Sequence, residues 1–563
     1  MNLKISRALL SIVAVAAGVF GCYSCVSVDY SVGADYLATN QQFDTYTTEF
    51  FLDDLQLKMA DSLSGYSQTR ATFGTVRDED FGLTKRACAI TLVPVFDSLD
   101  FGQNPVFEDF YFTMERDTVC VVGEDQRYII QNVNVYELTE PTTNVFDINA
   151  TLPHSANKVS IGTPIINGSS DSICFHLTKD FGEKYLHMTW DDTKDLETYL
   201  EKYPGLYIDT DDPIGMGGRL NMFQIQLDFD SDAYVSGNYA MLSFKSEYDD
   251  DEDGVYVQKD TAFFFYLGAT GFYAAASLLY YGTKGELPLY ALNVAQHNTR
   301  DRAGRAGEKF KIEGGGGLKP VVSARELKDK ISAAVVEKGG DPAKAVLNRA
   351  TIILPFEFPD DYKDMDKYPQ ILSPTCRIKY NVADEDEEAV YAYSYMGLTD
   401  ASDEDENQGD VNRSLLCYQP DITYHAQSIL KLDDDADFSN KDIWFLIMAE
   451  EVDRSSDSSS SDEEDYYNNL MYASYYNSMY NGYGYGGYGY SSYGYSSYGY
   501  GDYYSNYYNY MLMASMYSGS SSSSESTVTL LDSHRFYNGT FYGNDAPEDK
   551  RPKVKVMFSI PQE

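Results

Sequence analysis

Basic residues are scarce in this 563-residue chain: 43 Lys and Arg stand against 87 Asp and Glu, a formal net charge of -44. Nucleic-acid binding depends on Lys and Arg displacing counterions from phosphates, so a polyanion of this size is excluded from that class. Between Arg454 and Arg535 the shortage is complete, with neither Lys nor Arg. The six histidines (His154, His176, His187, His297, His425 and His534) are scattered singly, which removes any transition-metal signature. No G-x-S-x-G elbow, H-E-x-x-H helix or phosphate loop occurs; "IEGGGGL" lacks the Lys-Ser/Thr ending and reads as a turn or bulge. With so many acids some carboxylate pair is always available, so the sequence selects no acid-base dyad. The expectation is a non-enzymatic protein without a cofactor.

Cysteine is sparse as well, seven in all. Cys88, Cys120, Cys174, Cys376 and Cys417 lie far apart, and both disulfides of an exported compartment and buried thiols fit such spacing. Cys22 and Cys25 spell C-x-x-C but lack the helix start of a redox motif. What precedes Cys22 is more informative. Lys4 and Arg7 are followed by the uncharged "ALLSIVAVAAGVFG", too short to span a bilayer and ending in a small residue. Residues 1–21 therefore read as a lipoprotein signal peptide. "VFGC" fits a lipobox, so acylation at Cys22 and a lipid anchor in the cell outer membrane are expected, with 22–45 as a flexible tether. One longer apolar stretch, 262–282, carries no charge, but Gly268 and Gly271 interrupt it; a buried strand, a turn and another apolar element are expected there instead of a membrane span.

Periodicity reads mainly as β. "KVKVMFSI" places Val554, Val556, Phe558 and Ile560 on one face and Lys553, Lys555 and Ser559 on the other. Runs such as "FYFTME", "LNMFQIQLDF", "AMLSFKSEY", "ATIILPFEF" and "AVYAYSYMGL" recur between Asp, Gly, Pro and Asn clusters, the punctuation of antiparallel sandwiches. Helices are few. Ser323 and Glu326 form a capping box for "ARELKDKISAAVVEK", Asp341 and Pro342 open a second helix "PAKAVLNR", and two more fall at "DDTKDLETYLEKY" and "ITYHAQSIL". The expected architecture is tandem antiparallel β-sandwich modules of jelly-roll or Ig-like type. The first spans 46–140, an intervening β-rich module spans 141–305, and a third spans 306–563 with a low-complexity insert at 455–526.

Several stretches, in their serial order, resemble a known family. They are "FGTVRDEDFG" (73–82), "KYPGLYI" (202–208), "KIEGGGGLKPVV" (311–322), "LNRATIILP" (347–355), "YQPDITYHAQSIL" (418–430) and "FYNGTFYG" (536–543). The chain resembles the Bacteroidetes outer-membrane lipoproteins grouped as domain of unknown function four-two-seven-zero. The resemblance implies a tethered, β-rich protein of the cell envelope and brings no catalytic residues with it. Surface-facing members often carry acids directly after the acylated cysteine; "CYSCVSVD" has none before Asp29, so surface-facing and periplasmic placement both stay open.

Two segments invite a site. In "DDDEDGVYVQKD", Asp249, Asp251, Asp253 and Asp260 occupy positions of a calcium loop, where carboxylates supply hard oxygen ligands. The bidentate Glu is missing and strands flank the stretch, so an acidic hairpin tip turning on Asp-Gly is the plainer reading, with weak calcium binding as the alternative. The second segment is "GYGYGGYGYSSYGYSSYGYG", with Tyr483, Tyr485, Tyr488, Tyr490, Tyr493, Tyr495, Tyr498 and Tyr500. Gly and Ser dilute its apolar surface too far for an independent core, so it reads as an excursion from a hairpin between "DIWFLIMAEE" and "STVTLLD". Tyrosine offers flat amphipathic area at low entropic cost, which makes the run either a partner-binding arm or a tolerated insert. The leading expectation is a scaffold or accessory subunit docking on another envelope protein, a β-barrel complex among the candidates. A glycan or nutrient capture module is the alternative.

Overall fold

The computed structural model describes residues 43–562 except 61–62, 64, 68–69, 95–99, 122–127, 142–147, 167–171, 194–195, 225–227, 230–234, 237–238, 250–253, 268–290, 382–390, 400–406, 453–526 and 533. The described chain is mainly β, in antiparallel sheets with few helices.

The first and last strands among the described residues lie in one sheet. Strand Phe43–Phe51 pairs along its whole length with the last strand, Lys553–Pro561, which pairs on its other side with Val346–Pro355. Val554, Val556, Phe558 and Ile560 are all buried, as the alternation of "KVKVMFSI" requires. A second sheet places Leu318–Val322 beside Ile443–Val452, then Ile371–Asn381, then Tyr391–Gly397. The two sheets share one core, in which Ile352, Leu354, Val556 and Phe558 meet Leu372, Phe445 and Ile447. This is a β-sandwich.

Helix Ala324–Glu337 closes that core with Leu327, Ile331 and Val335, one stripe at helical spacing. The Ser323 hydroxyl accepts the Glu326 amide, and Gly339 at φ 81° ends the helix, as its sequence predicts. Helix Thr423–Leu430 likewise forms where expected. The helix expected from Pro342 does not form. Asp341 accepts the amides of Ala343, Lys344 and Ala345 in a single turn, and the chain then enters strand Val346–Pro355. Leu347, Ala350, Ile352 and Leu354 reach the core as a strand, with a bulge between Leu347 and Arg349, and this burial overrides the cap-like start. The helix expected near 191–203 is split into Trp190–Thr193 and Leu196–Lys202.

The remaining strands build a second module whose pairings run in a circuit. Gly82–Ile90 pairs with Arg70–Asp78, which pairs with Gly217–Gln224, which pairs with the far half of the long strand Gln103–Val121. The near half of that strand pairs with Tyr239–Tyr248, then comes Val257–Leu267, then Leu92–Pro94, which directly continues Gly82–Ile90. Phe73, Phe110, Phe112, Phe223, Phe244 and Phe265 fill the module, capped by Phe181 and Tyr185 of helix Lys179–Leu186.

This topology moves the expected boundaries. Strand Leu206–Thr210 lies between Gly82–Ile90 and Gln131–Leu138, and Gly217–Gln224 lies between Arg70–Asp78 and Gln103–Val121. Residues expected in 46–140 and in 141–305 thus share one hydrogen-bonded sheet. Phe43–Phe51 and Gln56–Met59, by contrast, pair with strands of the 306–563 segment. Among the described residues no helix is long and apolar enough to cross a membrane. Cys88, Cys376 and Cys417 are buried free thiols and Cys174 is an exposed one.

Candidate functional site

Most of the expected site residues lie outside the described residues: Cys22, Asp251, Asp253 and Tyr483, Tyr485, Tyr488, Tyr490, Tyr493, Tyr495, Tyr498 and Tyr500. What is described is the frame of the tyrosine run. Strands Ile443–Val452 and Thr527–Leu531 pair antiparallel from Met448 with Leu531 to Val452 with Thr527. The run therefore leaves and re-enters the sandwich at two adjacent residues of one hairpin. Of the calcium-loop candidates, Asp249 accepts the Gly254 amide at 2.8 Å through Oδ2, and Asp260 sits opposite Lys245 in the strand register, 3.6 Å from its ammonium. Those contacts are a turn cap and a cross-strand ion pair. No group of three or more His, Cys, Asp or Glu side chains placed to hold a metal ion occurs among the described residues.

Between the two modules lies a buried polar joint built around Lys319, Glu313 and His297. The loop "EGGGG" after strand Lys309–Lys311 folds around Lys319, whose ammonium donates to the carbonyls of Glu313, Gly315 (2.9 Å) and Gly317 (3.2 Å). The glycines are needed for space. A Cβ on Gly314 would stand 2.4 Å from the Arg535 carbonyl oxygen, and one on Gly317 would stand 2.4 Å from Cβ of Glu313. The buried Glu313 carboxylate accepts from His297 Nδ1 at 3.1 Å, from the Thr299 hydroxyl and from the Leu318 amide. Burial opposes its charge, but those bonds outweigh it and hold the carboxyl below its ordinary value. The other ring nitrogen of His297 lies 3.3 Å from Arg86 Nη1. A guanidinium can only donate, so Nε2 accepts and Nδ1 carries the proton given to Glu313.

A second histidine stands nearby. Thr527–Leu531 runs into Asp532, which accepts from the amides of His534 and Arg535, from the Arg535 guanidinium at 2.9 Å and from the Tyr537 hydroxyl. His534 Nδ1 is 2.6 Å from the Thr72 hydroxyl in strand Arg70–Asp78. The Thr72 amide in turn donates to Asn293 at 2.7 Å. Burial pushes Lys319 down to about 7 and His534 down to about 4.

The face of the other module's sheet turned away from its phenylalanine core carries a small aromatic cluster, in which Tyr207 is buried against Leu138, Leu152, Leu292 and Val294. Tyr136 and Tyr207 are cross-strand partners, and the His154 ring stacks on Tyr207 at 4.4 Å and lies 4.6 Å from Tyr136. Two residue pairs along on the same face, Asn134 donates to Asp209 at 2.8 Å and to Asp211 at 3.1 Å, and Asn132 donates to Asp211 at 3.0 Å. Burial raises Asp209, whereas the bonds from Asn132 and Asn134 lower Asp211. Neither cluster was legible from spacing, because its members come from strands far apart in sequence. The unusual glycine run was the one local signal of the joint. In comparison with known proteins, no family model, no curated protein and no solved structure matches this chain.

Proposed function

We propose that this chain is a non-enzymatic lipoprotein of the cell envelope, anchored to the outer membrane through Cys22, that serves as a scaffold or accessory subunit docking on another outer-membrane protein. The observation that carries the reading is the pairing of Val452 with Thr527, which brings both ends of the tyrosine-rich run to adjacent positions of one strand pair in the sandwich. A segment rich in tyrosine and free of basic residues, held at adjacent points, suits protein contact better than nucleic acid. The export signal, the lipobox and the resemblance to Bacteroidetes lipoproteins support that location. The test is gentle detergent extraction of native membranes with a tag at Glu563, for the full chain and for a chain lacking 455–526. A stoichiometric membrane protein lost on deletion supports the reading; a lone protein in both cases overturns it.

A second reading, saccharide capture, is favoured by this cluster alone, in which His154 is exposed and Tyr136 half-buried while Tyr207 is buried beneath them. Aromatic rings beside paired carboxylates and amides suit the apolar faces and hydroxyls of a sugar ring. Binding to an immobilised glycan array that Tyr136→Ala abolishes, with unchanged thermal stability, would support it. A chain that binds no glycan overturns it.

A further inference from the structure

The sheet that carries Tyr207 ends in loops with apolar tips. Strand Leu206–Thr210 runs on into the loop 211–216, whose Asp211 amide bonds the Asn132 carbonyl at 3.2 Å. Strand Ile165–Ile166 pairs with the same start of Gln131–Leu138, with Ile165 opposite Asn132. Tyr128 and Ile130 lead into that strand, and Met216 precedes Gly217, which pairs with Arg77. Tyr128, Ile130, Ile165, Ile214 and Met216 are thus brought to one end of the module, and all of them are exposed. Ile214 is as exposed as in an extended chain, at 107 %. A Cβ on Gly215 beside it would meet nothing within 4 Å among the described residues, so the loop stands clear of the fold. We propose that this end of the module is a bilayer-contact surface, on which these side chains enter the acyl boundary of a zwitterionic lipid surface.

Single exposed apolar residues are ordinary on a soluble surface, but a group of them at the tips of adjacent loops calls for an occupant. Protruding tips require one that conforms to them. A fluid acyl layer does so, and tyrosine, with an apolar ring and a polar end, suits its boundary with water. Ile166, next to Ile165, points the other way into the phenylalanine core and holds its stretch in place.

Charge selects the lipid. In the same loop as Ile214 stand the exposed Asp211 and Asp212, and Asp212 is paired with Lys85 at 2.5 Å, so both signs occur at headgroup level. They match the ammonium and phosphate of phosphatidylethanolamine or phosphatidylcholine, whereas a net charge of -44 repels an anionic surface. Reach is sufficient as well. Between Cys22 and strand Phe43–Phe51 the chain can extend to about 70 Å, which lets an anchored molecule lay this end against its own membrane. The inference deepens the lipoprotein reading and rests on it for the chain's place beside a membrane.

The test is photolabelling of the full chain on vesicles of phosphatidylethanolamine and phosphatidylcholine that carry a diazirine on their acyl chains, with labelled peptides mapped by mass spectrometry. Label is expected to concentrate in 128–130, 164–166 and 211–217. In the double variant I214S/M216S it is expected to fall there at least about tenfold, since burial of one such side chain already favours contact by more than that factor. Both positions are exposed, so the variant is expected to keep the native melting temperature. Label confined to the neighbourhood of Cys22 would mean a chain held by its acyl group alone; that overturns the inference and leaves the lipoprotein reading standing. No label anywhere overturns the inference and counts against the anchor too. Tip labelling that the double variant retains, or that rises when phosphatidylglycerol is added at low salt, overturns it. Unlabelled tips that cross-link to a co-purified membrane protein would assign the surface to protein contact instead.

Discussion

Val452 and Thr527 face each other across paired strands although the whole tyrosine-rich run lies between them in sequence. The fold thus spends loop-closure entropy to keep that hairpin closed, and a short turn would close it more cheaply. Replacing 455–526 by a short turn is expected to stabilise the chain by about 2 kcal/mol, since each doubling of loop length costs about 0.6 kcal/mol. Denaturant unfolding of the two chains measures the difference; a destabilised deletion would show that the insert packs on the sandwich.

How much of this was legible depended on the range of the interaction. The alternation in "KVKVMFSI" and the cap at Ser323 are local, and both held, because one solvent face and one orphan amide dictate them. The turn at Asp341 looked equally local, but the helix it promised lost to the burial of Leu347, Ile352 and Leu354 against the last strand. Strand order was not legible at all. Nothing in the sequence near Leu206 says that it pairs between Ile90 and Glu137, so the expected boundary at 140 cut through a sheet. The joint was hidden for the same reason, since Arg86, His297, Glu313 and His534 meet only once the topology exists.

Lys319 supplies the donors that three loop carbonyls share. Lys319→Met fits the volume but leaves those carbonyls without the ammonium, and a loss of about 3 kcal/mol is expected. Equilibrium unfolding in urea reads it. A loss below about 1 kcal/mol would mean that water replaces the ammonium and that the glycine loop needs no such plug.

Loss of the Ser323 cap is a milder change. Ser323→Ala removes the acceptor of the Glu326 amide at the start of helix Ala324–Glu337, and about 1 kcal/mol of stability is expected to go with it. Ser323→Asp should restore the loss, because a carboxylate accepts the same amide and favours the helix N-terminus. An equal loss in both variants would assign the effect to packing.

His425 predicts an acid-sensitive sandwich independent of the joint. Its Nε2 bonds the Lys441 carbonyl at 2.8 Å, and burial pushes the ring down to about 4, opposed by that bond and helped by the Lys441 charge. The unfolded chain therefore binds more protons between about 4 and the ordinary 6.5, and stability rises with pH across that window. The contribution is whole above 6.5 and is lost as the pH falls towards 4, a total on the order of 3 kcal/mol. His425→Gln keeps a donor for the carbonyl, so its unfolding free energy is expected to lose that part of the slope.

Calcium is expected to leave the chain unmoved. Asp249 is already occupied as an acceptor of the Gly254 amide, and Asp260 leans on Lys245 across the strand pair. A carboxylate that caps a turn and another that sits in a ladder position point to hairpin structure, whose ends are fixed by the pairing of Tyr248 with Val257. Millimolar calcium should therefore leave the melting temperature where chelator leaves it, and Asp260→Asn should change neither. A melting temperature that climbs with calcium concentration would overturn the hairpin reading, because only a ligand bound to the native state raises it in that way.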